Sequence, residues 1–198
     1  MVGNRPVWIA ASTHEGEEQL VLDVHRTLRE HHPELLLVLV PRHPERFPGV
    51  RELIEKQGFS VVSRTEHQPA GDASVFLCDT MGEVPMFYAA SDVAFVAGSL
   101  VPIGGHNLLE PAMLGVPIVT GPPNFNAQDI ADLFFDLGAC RRVSGSDELV
   151  TTVSELLTNP DQAERLGSAG RTVLAENRGA LERLLVLLEP LLKDRNQA

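Results

Sequence analysis

Short apolar runs alternate with amphipathic stretches along the chain. The first run, residues 7–11, has the length of a strand, and the polar loop after it leads into residues 17–30, where Leu20, Val24 and Leu28 recur at spacings of four on one helical face. Residues 35–40 are apolar at every position, which is typical of a parallel strand covered by helices on both faces.

The same pattern extends to the end of the chain. It predicts strands over residues 7–11, 35–40, 59–63, 75–78, 92–97, 117–120 and 139–143. It predicts helices over residues 17–30, 50–57, 83–90, 107–114, 127–137, 146–157, 160–176 and 179–192. Strand and helix alternation of this kind indicates an α/β fold, a Rossmann-like doubly wound parallel sheet.

The chain of 198 residues shows no internal repeat and no linker longer than the polar loop at 64–73. We therefore expect a single domain over residues 1–195 and a frayed tail at 196–198. The first predicted strand follows the N-terminus almost directly, without a signal peptide, so we expect a domain taken from a longer protein.

Composition narrows the classes of function. Lys and Arg number 16 against 27 Asp and Glu, a net charge of −11, which argues against general nucleic-acid or anionic-membrane binding but does not exclude one small anionic ligand. No run of eighteen apolar residues predicts a membrane span. The two cysteines, Cys78 and Cys140, lie in apolar stretches, and we expect buried thiols in a reducing compartment.

Polar loops follow five of the predicted strands. Since ligands of open parallel sheets bind at the carboxyl ends of the strands, we expect these loops to form one site. They are residues 12–16, 41–46, 79–83, 98–107 and 121–126.

The loop and helix start at residues 98–110 carry the most specific cluster. Gly104 and Gly105 let the backbone approach a ligand closely. The helix start after them offers free N–H groups suited to a phosphate. Asn107 and Glu110 are three residues apart, so we expect them on one helix face, gripping the hydroxyls of a ribose.

On the opposite side of this helix, the spacing predicts that Leu109, Ala112 and Met113 are buried. In the first loop, Ser12 and Thr13 have two readings, because a hydroxyl before acidic residues also caps a helix.

Arg42 and the histidines also have two readings. Two prolines flank Arg42 and its neighbour and hold the backbone extended, which favours a ligand contact over a solvated surface residue. His14, His43 and His106 end three of the loops, which suggests a metal site. Their spacing is not a ligand pattern, however, and contacts to a sugar or phosphate explain them as well.

Six segments carry a family resemblance and occur in order over nearly the whole chain. They are residues 10–17 (AASTHEGE), 40–47 (VPRHPERF), 79–83 (DTMGE), 98–101 (GSLV), 104–110 (GGHNLLE) and 177–181 (NRGAL). With these segments the chain closely resembles the C-terminal domain of the Kdo transferases (3-deoxy-D-manno-octulosonic acid transferases) of bacterial lipopolysaccharide synthesis.

The resemblance implies the C-terminal half of a two-domain GT-B glycosyltransferase. It implies CMP-Kdo as the donor and a lipid A precursor, on the cytoplasmic face of the inner membrane, as the acceptor, with no metal or other cofactor. The family's N-terminal half holds the acceptor, the catalytic base and the membrane anchor. We therefore expect this chain to be a soluble donor-binding domain without a catalytic base, which binds CMP or CMP-Kdo without turnover.

The resemblance also assigns residues to the donor nucleotide. These are Pro41, Arg42, Met81, Gly82, Glu83, Gly104, Gly105, Asn107, Leu108, Leu109 and Glu110. It adds candidates for contacts to the phosphate or the sugar, which are Ser12, Thr13, His14, Ser99 and His106. Two alternatives remain: a domain resembling a sugar-nucleotide epimerase, which would bind UDP, and a nucleotide-binding module without catalysis.

Overall fold

A computed structural model describes residues 5–122 and 125–177. In these residues seven parallel strands form one sheet in the order β3-β4-β2-β1-β5-β6-β7. The strands are β1 (Val7–Thr13), β2 (Leu36–Pro41), β3 (Val61–Ser63), β4 (Val75–Leu77), β5 (Val93–Val96), β6 (Ile118–Thr120) and β7 (Arg141–Arg142). The predicted α/β fold with a doubly wound parallel sheet is confirmed.

Helices connect the strands and cover both faces of the sheet. They are α1 (Glu17–His31), α2 (Phe47–Lys56), α3 (Val84–Ala89), α4 (Leu109–Leu114), α5 (Gln128–Asp136), α6 (Ser146–Thr158) and α7 (Pro160–Asn177). Short 3-10 turns lie at Pro44–Arg46, Arg64–Glu66 and Phe125–Ala127. The predicted helix over 179–192 and the tail at 196–198 lie outside the described residues.

The central strands explain why the apolar runs are continuous. In β1, Trp8 and Ala10 point to one face of the sheet, into a core shared with α1 and α6, whereas Ile9 points to the other face. In register, Trp8 pairs with Leu37 on β2 and with Val93 on β5. Both faces of these strands are therefore buried, as two-sided apolarity predicts. The thiols of Cys78 and Cys140 are buried and free, as expected.

The start of α4 differs from the prediction. The helix begins at Leu109, two residues after the predicted start, and Leu108 is the residue that precedes it. The Asn107 Oδ1 accepts the Leu109 N–H at 3.0 Å, so this side chain binds the first helical N–H group from outside the helix. The buried face of this segment also differs from the prediction. Leu108 and Ala112 pack towards Val173 of α7, whereas Met113, predicted to be buried, is 54% exposed.

Other boundaries shift by fewer residues. Helix α2 begins at Phe47, three residues before the predicted start, with Pro48 in its first turn, where the missing proline N–H costs nothing. Strand β7 is limited to Arg141–Arg142, and part of the predicted loop at 64–73 is the 3-10 turn. No helix in the described ranges is long and apolar enough to cross a membrane.

Candidate functional site

Four of the five polar loops meet at the carboxyl edge of the sheet, around a cavity of about 380 Å³, and no described residue of the fifth, at 121–126, lines it. It is lined by Ser12, Arg42, Met81, Gly82, Val84, Pro85, Tyr88, His106, Asn107 and Glu110. The lining comes from the loops after β1, β2, β4 and β5 and from helices α3 and α4. The volume lies within the range of small-molecule sites, about 300–1,000 Å³.

The cavity lies where the chain reverses direction across the sheet. Strand β1 is central, with β2 on one side and β5 on the other, so the order of the strands reverses between β1 and β5. Such a switch point is the usual ligand site of open α/β sheets. A larger cavity, about 880 Å³, lies beside β7 and α7, away from these loops.

Arg42 is exposed at the mouth of the cavity. Its backbone N–H donates to the Thr13 carbonyl at 3.0 Å, which joins the loops after β1 and β2. Within residues 5–122 and 125–177, no hydrogen bond or ion pair engages its guanidinium group. A side chain held at a cavity mouth with its charge unpaired is suited to an incoming anion. The adjacent Pro41 is buried at the end of β2.

The turn after β4 brings Met81 and Gly82 to the cavity, with Gly82 at φ +81°. Glu83 does not line the cavity. Its carboxylate accepts from the Thr80 hydroxyl and, at 3.0 Å, from Arg64 Nη2, and these two contacts lower the pKa of Glu83. Glu83 therefore fixes the turn that presents Met81 and Gly82.

The turn before α4 packs tightly against a neighbouring side chain, as its two glycines suggest. Gly104, at φ +101°, lies directly under the Phe125 ring, where a Cβ would collide. The Asn107 Nδ2 donates to Glu110 Oε1 at 3.2 Å, so the structure brings these two residues together at the cavity. The prediction that they share one helix face is wrong, because Asn107 precedes the helix.

Leu108 and Leu109 lie below this turn. Leu108 is buried in the core, Leu109 packs partly against it, and neither lines the cavity. Gly105 donates its N–H to the Gly98 carbonyl at 2.8 Å, which closes the loop on itself. Gly104 and Gly105 do not line the cavity either, so these residues support the turn that carries Asn107 and Glu110.

The three loop histidines cluster as their positions suggested. The Nε2 atoms of His14 and His106 are 2.7 Å apart and the rings are stacked, with centroids 5.0 Å apart; His43 meets His14 edge-on at 5.3 Å. Burial lowers the pKa of His14 and lowers that of His106 to about 4. At neutral pH both rings are uncharged, so one Nε2 donates to the other.

In the part of the chain that the structure describes, no group of three or more His, Cys, Asp or Glu side chains is arranged to hold a metal ion. Instead, His14 and His106 contact each other, and His106 lines the cavity.

Of the three hydroxyl residues expected to contact the phosphate or the sugar, one lines the cavity and two are bound within the protein. Ser12, at φ +64°, lines the cavity. Thr13 is buried and donates to Glu18 Oε1 at 3.1 Å, and Ser99 is buried and donates to the Val96 carbonyl at 2.8 Å. The alternative that Ser12 or Thr13 caps α1 is wrong, because the residue before the helix is Gly16 and no side chain caps it.

Several residues of the site were not singled out by the sequence patterns. Val84, Pro85 and the buried Tyr88 line the cavity from α3, and burial raises the pKa of the Tyr88 phenol. At the start of α1, Glu17 and Glu18 are fully buried carboxylates, and Glu18 forms an ion pair with Arg46. Two adjacent acids at a helix start are ordinary in a sequence, so nothing marked them as buried.

Comparison with known proteins gives the family. Residues 4–173 match the model of the family described as glycosyl transferases group 1. The chain is 47% identical over 192 residues to the 3-deoxy-D-manno-octulosonic acid transferase of Haemophilus influenzae, a match that covers 96% of this chain and 45% of that protein. The chain thus spans about half the length of the curated relatives it matches.

Two solved structures bear on the fold. The C-terminal CMP-Kdo binding domain of WaaA from Acinetobacter baumannii superposes with a TM-score of 0.84 at 39% identity, covering 87% of this chain and 91% of that one. A structure described as a UDP-N-acetylglucosamine 2-epimerase from Listeria monocytogenes has a TM-score of 0.59 at 15% identity, covering 92% of this chain and 46% of that one, and shares only the fold. The chain belongs to the group 1 glycosyltransferases, and its fold is that of the C-terminal domain of a GT-B enzyme.

Proposed function

We propose that this domain binds CMP-Kdo through its nucleotide and presents the Kdo group for transfer to a lipid A precursor. The acceptor, the catalytic base and the attachment to the cytoplasmic face of the inner membrane belong, in this proposal, to an N-terminal half of the parent protein. The domain by itself binds CMP or CMP-Kdo without turnover. The similarity to Kdo transferases and to a CMP-Kdo binding domain supports this donor over the UDP of an epimerase.

One observation carries the proposal for this site. The cavity combines the guanidinium group of Arg42, which has no partner among the described residues, with an amide and carboxylate pair, Asn107 and Glu110. A nucleoside monophosphate presents the matching groups, an anionic phosphate at one end and a diol in the middle.

The remaining contacts follow from this placement. Arg42 binds the phosphate or the cytosine carbonyl, and the Met81–Gly82 turn lies against the base. Ser12, with His106 held by His14, faces the phosphate or the Kdo sugar. Thr13, Ser99 and Glu83 act by holding these groups in place, since their own polar atoms are bound within the protein.

The test is a thermodynamic cycle on the ribose contact. CMP and 2′,3′-dideoxy-CMP are titrated against the wild-type chain and against Glu110→Gln. An ionised carboxylate accepts from both hydroxyls, so either loss weakens binding by about 1–3 kcal/mol, or roughly five- to a hundredfold. Because both changes delete the same interaction, the two losses do not add.

The control is Glu155→Gln, an exposed carboxylate of α6. It keeps the wild-type preference for CMP over the dideoxy compound. If Glu110→Gln discriminates between the two ligands as strongly as the wild type does, Glu110 serves only the helix and the ribose assignment is refuted. Thermal unfolding of each variant shows that the compared proteins are folded.

A further inference from the structure

Glu17 is a buried carboxylate outside the cavity lining, at the first residue of α1. We propose that Glu17 is a positioning residue of the donor site, which clamps the loops after β1 and β5 so that His106, held by His14, faces the phosphate of bound CMP. This inference rests on the proposed function, because it assigns a role in that same site.

The contacts of Glu17 reach both loops at once. Its Oε2 accepts the Gly98 N–H at 2.7 Å and the His14 N–H at 3.3 Å. Its Oε1 accepts the N–H groups of Ser99 and Leu100, each at 3.1 Å. One side chain thus ties the loop after β1 to a loop more than eighty residues further along the chain.

The backbone that Glu17 binds also contacts the histidine pair, His14 and His106. The Gly98 carbonyl accepts the Gly105 N–H, and a Cβ on Gly98 would lie 2.8 Å from Cδ2 of His106. His106 therefore rests on the backbone that Glu17 holds. On the other side, the N–H of His14 is bound by the same carboxylate, and the two rings meet through their Nε2 atoms at 2.7 Å.

The chemistry of the clamp requires a carboxylate. Three successive backbone N–H groups, of Gly98, Ser99 and Leu100, converge as in an anion-binding nest, and the anion here is the protein's own side chain. Burial raises the pKa of Glu17, and the four N–H donors oppose that rise. An amide of the same size keeps one acceptor oxygen, but its NH₂ group meets N–H donors and cannot bind them.

The experiment measures how much the phosphate contributes to binding. CMP and cytidine are titrated calorimetrically, well below the melting temperature, against the wild type, Glu17→Gln and Val24→Ala. Val24 is buried in the same helix about two turns away, so its truncation lowers stability without touching the loops. A purely structural role of Glu17 would lower the melting temperature and leave the ratio of the two affinities unchanged.

We expect Glu17→Gln to reduce the ratio of CMP to cytidine affinity by about tenfold, because the phosphate contacts lose their alignment. Val24→Ala keeps the wild-type ratio. Glu17→Asp retains the charge, but its side chain is too short to hold both loops. Its ratio of CMP to cytidine affinity therefore falls between that of the wild type and that of Glu17→Gln. Glu17→Asp also serves if the amide variant does not fold.

The outcomes separate the two proposals. If the wild type does not bind CMP, the proposed function fails. If the wild type binds CMP and prefers it to cytidine, but a folded Glu17→Gln or Glu17→Asp keeps the full preference, only the role of Glu17 is refuted.

Discussion

Acidification should destabilise this domain through one buried imidazole, that of His25. The Trp8 Nε1–H donates to His25 Nδ1 at 3.1 Å, and His25 Nε2–H donates to the Ser74 carbonyl at 2.9 Å. These two bonds fix the neutral ring with its proton on Nε2, and a second proton would face the Trp8 donor. Burial lowers the pKa of His25 to about 3.

The sign and size follow from proton binding. An unfolded chain takes up a proton on His25 as the pH falls below about 6.5, whereas the native protein does not until about pH 3. The stabilisation is therefore complete above pH 6.5 and is lost through this window, at up to about 1.4 kcal/mol per pH unit. Between pH 6 and pH 4.5 the loss is about 2 kcal/mol. The lowered pKa values of His14 and His106 act in the same direction.

The assay is urea unfolding at several pH values between 4.5 and 7.5. His25→Gln lacks the titrating ring, so the slope of its unfolding free energy against pH should be shallower than that of the wild type by about 1.4 kcal/mol per unit. The control His31→Gln replaces an exposed histidine of the same helix and keeps the wild-type slope. Equal slopes for His25→Gln and the wild type would show that native His25 takes up its proton as readily as the unfolded chain, and the reasoning would fail.

Two other predictions concern the site and its support. Arg42→Ala should weaken CMP binding by about 1.5–3 kcal/mol, and Arg42→Lys should recover only part of the loss, because lysine lacks the forked donors; unchanged calorimetric affinity in Arg42→Ala would make Arg42 a solvated surface residue. Gly167→Ala should lower the free energy of unfolding in urea by about 1–3 kcal/mol, because the new Cβ would collide with the Gly115 carbonyl between α7 and α4. The control Gly49→Ala lies in open space on α2 and should leave the stability unchanged or raise it. Equal stability of the two alanine variants would contradict the close packing of α7 on α4.

The fold was predictable where burial alone decides it. Residues 35–40 are apolar at every position, and five of them, with Pro41, form the six-residue strand β2, in which every residue is buried. The start of α4 was not predictable from spacing, because a side-chain amide, that of Asn107, captures the first helical N–H group. The helix starts two residues later than predicted. Met113 is exposed because Leu108 and Ala112 carry the packing of this segment towards α7.

At the site, the sequence predicted that the loops after β1, β2, β4 and β5 meet. It did not predict that the described residues of 121–126 stay out of the cavity lining, or what each polar atom does. Parallel topology brings Arg42, Gly82 and Glu110 to one cavity, as expected from their places after the strands. The Ser99 hydroxyl, expected to contact the phosphate or the sugar, instead donates to the Val96 carbonyl and accepts from the Gly121 N–H. Such bonds, like those of Glu17, join segments distant in sequence, so local patterns carry no trace of them.

Calorimetric titration of the chain with CMP and with UMP shows whether this cavity is a site for a cytidine nucleotide. We expect saturable binding of CMP at one site per chain, tighter than that of UMP. We also expect CMP at one hundred times its dissociation constant to raise the unfolding free energy by about 2.7 kcal/mol. No measurable binding of CMP, or binding of UMP at least as tight, would contradict the assignment of this cavity to a cytidine nucleotide.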